Sequence, residues 1–242
     1  ILYGITYWKG SHEYKGLQKY VREQPKDESS TGENGEFTVD FSGLKELNPD
    51  CIGWIRFENI DISYPIMQGE DNEYYLKHTF EGQAVTAASI FMDANNHADF
   101  SDQNTFIYGH NMKDKTMFGK LNNYKDEEFY KENPYFYIYT PDYTYRYDIF
   151  SCYLARVDNE VDFYTQFASD EQFQEFLDGV KAQSAYDTGV EVTPEDKVIT
   201  LMTCNKAGYD YRFLVHAVQT EAVPNGDVAP AEENAGTESE AE

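Results

Sequence analysis

Lys197-Val-Ile-Thr-Leu-Met-Thr-Cys204 and Tyr211-Arg-Phe-Leu-Val-His-Ala-Val218 are the stretches on which the fold turns. Both are apolar, rich in β-branched residues, and separated by a short segment holding Gly208, so they read as two strands. If they pair, Arg212 comes near Cys204. A thiol at a strand end faces a rim, and a nearby cation favours the thiolate and steadies a developing oxyanion. The same residues also read as a small buried cysteine beside a surface arginine.

Working outward, more strands appear. Gly53–Phe57 and Ile62–Gln68 flank the turn-prone Glu58-Asn59, and Ala88–Asp93 and Thr105–Tyr108 are β-rich runs. Tyr135–Thr140 and Tyr143–Val157 alternate aromatic and polar residues around Pro141-Asp142, the pattern of a hairpin with one buried face. About eight strands within one segment predict a mainly β closed barrel or sandwich. Short helices are expected at Met117–Leu121 and Glu127–Glu132. Phe173, Phe176, Leu177 and Val180 form one apolar stripe, which predicts a helix over 170–184. Tyr14, Leu17, Tyr20 and Val21 predict another over Lys9–Gln24.

The chain has 242 residues, enough to bury a core without disulfides. It carries 44 acidic and 19 Lys and Arg residues, a formal charge of −25. That field repels phosphate backbones and disfavours nucleic acid as a partner. Residues 1–24 hold four basic and two acidic groups, and residues 221–242 hold seven acidic groups and no basic one, so about −20 stays on the body. Pro25–Glu36 reads as a linker and 221–242 as a disordered acidic tail. Ile1–Trp8 is apolar but too short to span a bilayer; it reads as the end of a removed anchor or the start of an amphipathic helix.

His110 follows Phe106-Ile-Tyr-Gly109, a strand end where a proton-transfer group would be well placed; a capped loop histidine is the alternative. His216 lies inside a strand and reads as a hydrogen-bonded core residue, while His12, His78 and His97 read as surface groups. Three cysteines cannot all pair. Cys51 and Cys152 read as unpaired core residues. No spacing suggests zinc, and Asp126-Glu127-Glu128 reads as a solvated helix start rather than a calcium loop.

Together these segments resemble class B sortases. Thr105-Phe-Ile-Tyr-Gly-His110-Asn-Met-Lys-Asp with Met117-Phe118 and Leu121 is similar to the family's histidine segment. Thr200-Leu-Met-Thr-Cys204 and Arg212-Phe-Leu-Val-His-Ala217 are similar to its cysteine and arginine strands, and Cys51–Ile55 and Tyr64–Gly69 resemble upstream segments. The helix at 170–184 stands where class B members insert one between the sixth and seventh barrel strands.

The resemblance implies a sortase-type eight-stranded β-barrel over 25–220, preceded by a helical segment, 1–24, that follows a removed membrane anchor. It implies a cysteine transpeptidase on the extracellular face of a Gram-positive cell membrane, with no cofactor or metal. Cys204, His110 and Arg212 would be catalytic, and Asn72, Leu76, Tyr108, Met202 and Thr203 would line the peptide groove. Asn72 and Leu76, four apart, would share one face of a helical turn. The donor would be a surface protein with an Asn/Ser-Pro-x-Thr-Gly/Asn motif. The acceptor would be an amine of a lipid-linked peptidoglycan precursor or wall peptide. Two rivals remain. A pilin-polymerising sortase would use a Lys acceptor, and a non-enzymatic surface-binding domain would use none of this chemistry. No pilin-type lid motif is evident in 25–36, and the Ser-His-Gly-Cys-x-Arg cluster of L,D-transpeptidases is absent.

Overall fold

The computed structural model describes residues 2–23, 37–85, 88–112, 114–204 and 210–225, with the backbone alone at 2–9 and 204. The expected linker at 25–36, the tail beyond 225 and the loop at 205–209 lie outside the described residues.

Eight strands close a barrel in the order β10-β8-β7-β3-β4-β5-β6-β9, with β10 returning to β9. They are β3 Cys51–Arg56, β4 Ser63–Met67, β5 Ile90–Met92, β6 Asn104–Gly109, β7 Tyr135–Tyr139, β8 Tyr143–Arg156, β9 Val198–Cys204 and β10 Tyr211–Pro224. Each expected strand is present. The β4–β5 and β6–β9 pairs are parallel and the others antiparallel. Closure leaves no unpaired edge. Ile55, Ile66, Phe136, Tyr147, Leu201 and Val215 fill the interior. Trp54, on the other face of β3, is fully buried, and its indole donates to Ser63 Oγ at 2.9 Å.

A second core lies outside the barrel wall. Helix α5, Asp170–Gln183, buries Phe173, Phe176, Leu177 and Val180 against Phe106, Phe150, Leu214 and Val218. Each such side chain contributes about 1.5–3 kcal/mol by leaving water. Ser169 caps the helix by accepting from the Gln172 N–H, and Asp170 and Glu171 sit in its first turn. The stripe read from the sequence is the buried face.

Three expectations are corrected at the ends of elements. Helix α1 spans Leu2–Leu17 and tightens into a 3₁₀ turn at Gln18–Tyr20. Val21–Glu23 then forms β1 and pairs with β2, Phe37–Val39, so the expected helix to residue 24 ends early. The local spacing fits a helix, but β-branched Val21 finds a cross-strand partner in Val39. At the other end, β10 continues through Pro224 against Tyr143–Arg146, so Glu221–Pro224 is strand, not tail. The short helix expected at Met117–Leu121 is instead a 3₁₀ turn at Gly119–Lys125. Of the remaining helices, α2 spans Phe41–Leu47, α3 Tyr74–Lys77 and α4 Glu127–Glu132. Asp126 caps α4, consistent with a helix start rather than an ion site.

Candidate active site

Strand register assembles the site. In the parallel β6–β9 ladder Gly109 pairs with Thr203, and in the antiparallel β9–β10 ladder Cys204 pairs with Arg212. His110 follows Gly109 directly. The backbones of His110, Cys204 and Arg212 therefore meet on adjacent ends of three neighbouring strands, at one rim of the barrel. Cys204 and Arg212 meet across consecutive antiparallel strands, whereas His110 is distant in sequence and reaches them through the parallel β6–β9 pairing.

The His110 ring is half-buried, and its Nε2 lies 2.9 Å from the Leu76 carbonyl. A carbonyl only accepts, so this contact assigns the proton to Nε2 and makes Nδ1 the basic nitrogen. Arg212 is half-buried and donates from Nη1 to the Tyr211 carbonyl at 2.9 Å. The segment after His110 folds back on itself. Asn111 bridges to Met117, the Phe118 N–H donates to the His110 carbonyl at 3.1 Å, and the Met117 N–H donates to Tyr64 Oη at 3.2 Å. Lys115 and Met117 hold φ of 68° and 54°, a strained left-handed backbone for side-chain-bearing residues.

Tyr108 and Met202 are partners in the β6–β9 ladder and pack on the α5 side of the wall. Thr203 is fully buried, and its hydroxyl has no hydrogen-bond partner. Asn72 and Leu76 do not share a helical turn. Asp71 Oδ1 accepts from the Glu73 and Tyr74 N–H groups, so α3 begins only at Tyr74 and Asn72 precedes it. Asn72 instead turns its amide to Asp93, and Leu76 serves His110 through its carbonyl.

Asp93 was not singled out in the sequence, yet its buried carboxylate accepts from both Asn72 and Tyr108. Its partners are 21 and 15 residues away, so no local spacing marks it. Burial, and then the bond to Asp93, push the Tyr108 phenol well above its ordinary value.

Cys51 and Cys152 are buried free thiols. Burial raises them to about 12 and about 11. His216 is fully buried, and His97, exposed, pairs with Asp102 at 2.7 Å. Among the described residues, no three His, Cys, Asp or Glu side chains converge as a metal site requires.

The Sortase domain family model matches residues 55–220. Sortase B of Listeria monocytogenes is 37% identical over 205 residues, which cover 84% of this chain and 82% of that protein. The Staphylococcus aureus sortase B–substrate complex superposes with a TM-score of 0.77 at 28% identity, covering 90% of this chain and 99% of that one. Bacillus anthracis sortase B gives a TM-score of 0.76 at 33% identity, covering 91% and 99%.

Proposed function

Because the chain belongs to the sortase family, we propose that Cys204 is its nucleophile, His110 its proton-transfer group and Arg212 its oxyanion clamp. The protein is a cysteine transpeptidase of the cell surface that acts on surface proteins bearing sorting motifs.

The Cys204 thiolate attacks the Thr carbonyl carbon of an Asn/Ser-Pro-x-Thr-Gly/Asn motif. The carbonyl π electrons move onto oxygen, and Arg212 donates to that oxyanion. As the oxyanion collapses, the Thr–Gly/Asn C–N bond breaks, and protonated His110 gives its Nδ1 proton to the departing amine. A Thr thioacyl enzyme results, which splits one difficult exchange into two easier steps. The neutral acceptor amine of a lipid-linked cell-wall peptide then attacks the thioester carbon, giving a proton to His110 Nδ1 as the C–N bond forms. The new amide forms, and the Cys204 thiolate leaves.

One observation carries this reading: Cys204 and Arg212 are register partners, and Gly109, just before His110, sits beside Thr203 in the next strand. A fluorogenic sorting peptide incubated with an amine tests it. Wild type should cleave the peptide and form the amine adduct, and Cys204→Ala should do neither. If wild type neither cleaves nor traps any such peptide, the assignment fails. A product that requires a Lys side chain would favour the pilin-polymerising alternative.

The membrane attachment is also a proposal. No helix among the described residues is long and apolar enough to cross a membrane. We place the anchor in a segment N-terminal to α1. Fractionation of full-length protein from cells would reject this if the enzyme were released without detergent.

A further inference from the structure

We propose that Asp93 is a positioning residue that sets the His110 imidazole from two directions. The inference rests on His110 being the proton-transfer group, as assigned above. Asp93 follows β5 and is only 5% exposed. Its Oδ2 accepts from the Asn72 amide at 2.8 Å and from the Tyr108 hydroxyl at 2.6 Å. Its Oδ1 accepts from the backbone N–H and side-chain amide of Asn95, both at 2.9 Å. A buried carboxylate with four donors is a fixed point, because moving it would strip charge-assisted bonds in a dry setting.

Both routes out of Asp93 end at His110. Along the chain, Tyr108 lies two residues before His110 on β6, so the hydroxyl bond fixes that strand end. Across space, Asn72 is held at both ends of its amide, to Asp93 and, through Oδ1, from the Ala94 N–H at 2.8 Å. Asn72 thereby anchors the segment that enters α3, where Asp71 Oδ1 accepts from the Glu73 and Tyr74 N–H groups. That helix presents the Leu76 carbonyl to His110 Nε2. One carboxylate therefore locates both the backbone bearing the imidazole and the carbonyl that selects its tautomer. Outer partners of this kind orient a reactive histidine without touching substrate.

Asp93→Asn tests this. It keeps the shape but aims an NH₂ at donors that need an acceptor. The folded variant should lose about 10–100-fold in kcat, with KM for the sorting peptide held within about twofold, because geometry rather than binding is lost. In ¹⁵N spectra the wild-type His110 ring should show the Nε2–H tautomer, and the variant a mixture. His110→Gln identifies the signal. Tyr108→Phe removes one arm while keeping the stack on Phe91. It should give a smaller loss that is not additive with Asp93→Asn. If Asp93→Asn does not fold, Tyr108→Phe decides alone. Unchanged kcat and an unchanged tautomer in the folded variant overturn the proposal. A wild type that processes no sorting peptide refutes the transpeptidase assignment of His110 instead, and the tautomer comparison still decides the role of Asp93.

Discussion

His216 makes the fold acid-sensitive in a way that can be measured. It lies between the barrel and α5, fully buried, stacked on Tyr153 with ring centroids 5.5 Å apart and edge-on to Phe176. The Thr200 hydroxyl donates to Asn104 Oδ1, so the His216 Nδ1–H must donate to Thr200 Oγ1, at 2.9 Å. Its Nε2 has no partner, and burial lowers the ring from 6.5 to about 3. A proton on Nε2 would be a buried charge with nothing to receive it. Below pH 6.5 the unfolded chain therefore takes up a proton that the folded chain refuses. The contribution is intact above 6.5 and is lost progressively as pH falls toward 3. At pH 5 the unfolded state is favoured by about thirtyfold relative to pH 8, or about 2 kcal/mol.

His216→Phe keeps a ring in the aromatic cluster and removes the titration. Urea unfolding at pH 8 and pH 5, followed by fluorescence of the buried Trp54, would measure the difference. Wild type should lose about 2 kcal/mol more than the variant between the two pH values, about 1 M in midpoint at a slope near 2 kcal/mol/M. The acidic residues titrate alike in both proteins and cancel. Equal losses in the two proteins would refute the reasoning.

Other outcomes follow from the same structure. Iodoacetamide on native protein at pH 8 should label one thiol, and none in Cys204→Ala, because Cys51 and Cys152 are buried and raised to about 12 and about 11; mass spectrometry counts the adducts. In Gly109→Ala the new methyl would lie 2.6 Å from Phe118 Cγ, so the ring must move and carry the His110 loop with it. A stability loss of about 1–3 kcal/mol should accompany at least a tenfold fall in kcat/KM. Asp162 is buried and accepts from Tyr153, Asn159 and Gln183, tying the 160–163 turn to β8 and α5. Asp162→Ala should cost about 3 kcal/mol and lower Tm by about 10 °C in a thermal melt.

The sequence by itself determined the local elements. Apolar β-rich runs and, in β7 and β8, alternation marked the barrel strands, the stripe of Phe173, Phe176, Leu177 and Val180 marked α5, and three separated motifs marked the rim residues. These signals are legible because side-chain period reports which face of an element is buried. Where an element ended was less legible. Val21 left the helix, and Glu221–Pro224 stayed in the barrel, because each found a strand partner far away in the chain. Tertiary structure alone decided what lies opposite what. Parallel pairing of β6 with β9 sets His110 beside Cys204, and Asn72 and Tyr108 meet on Asp93 although neither is its neighbour in sequence. Register across a closed barrel is fixed by global packing and hydrogen-bond satisfaction, and no single segment contains that information.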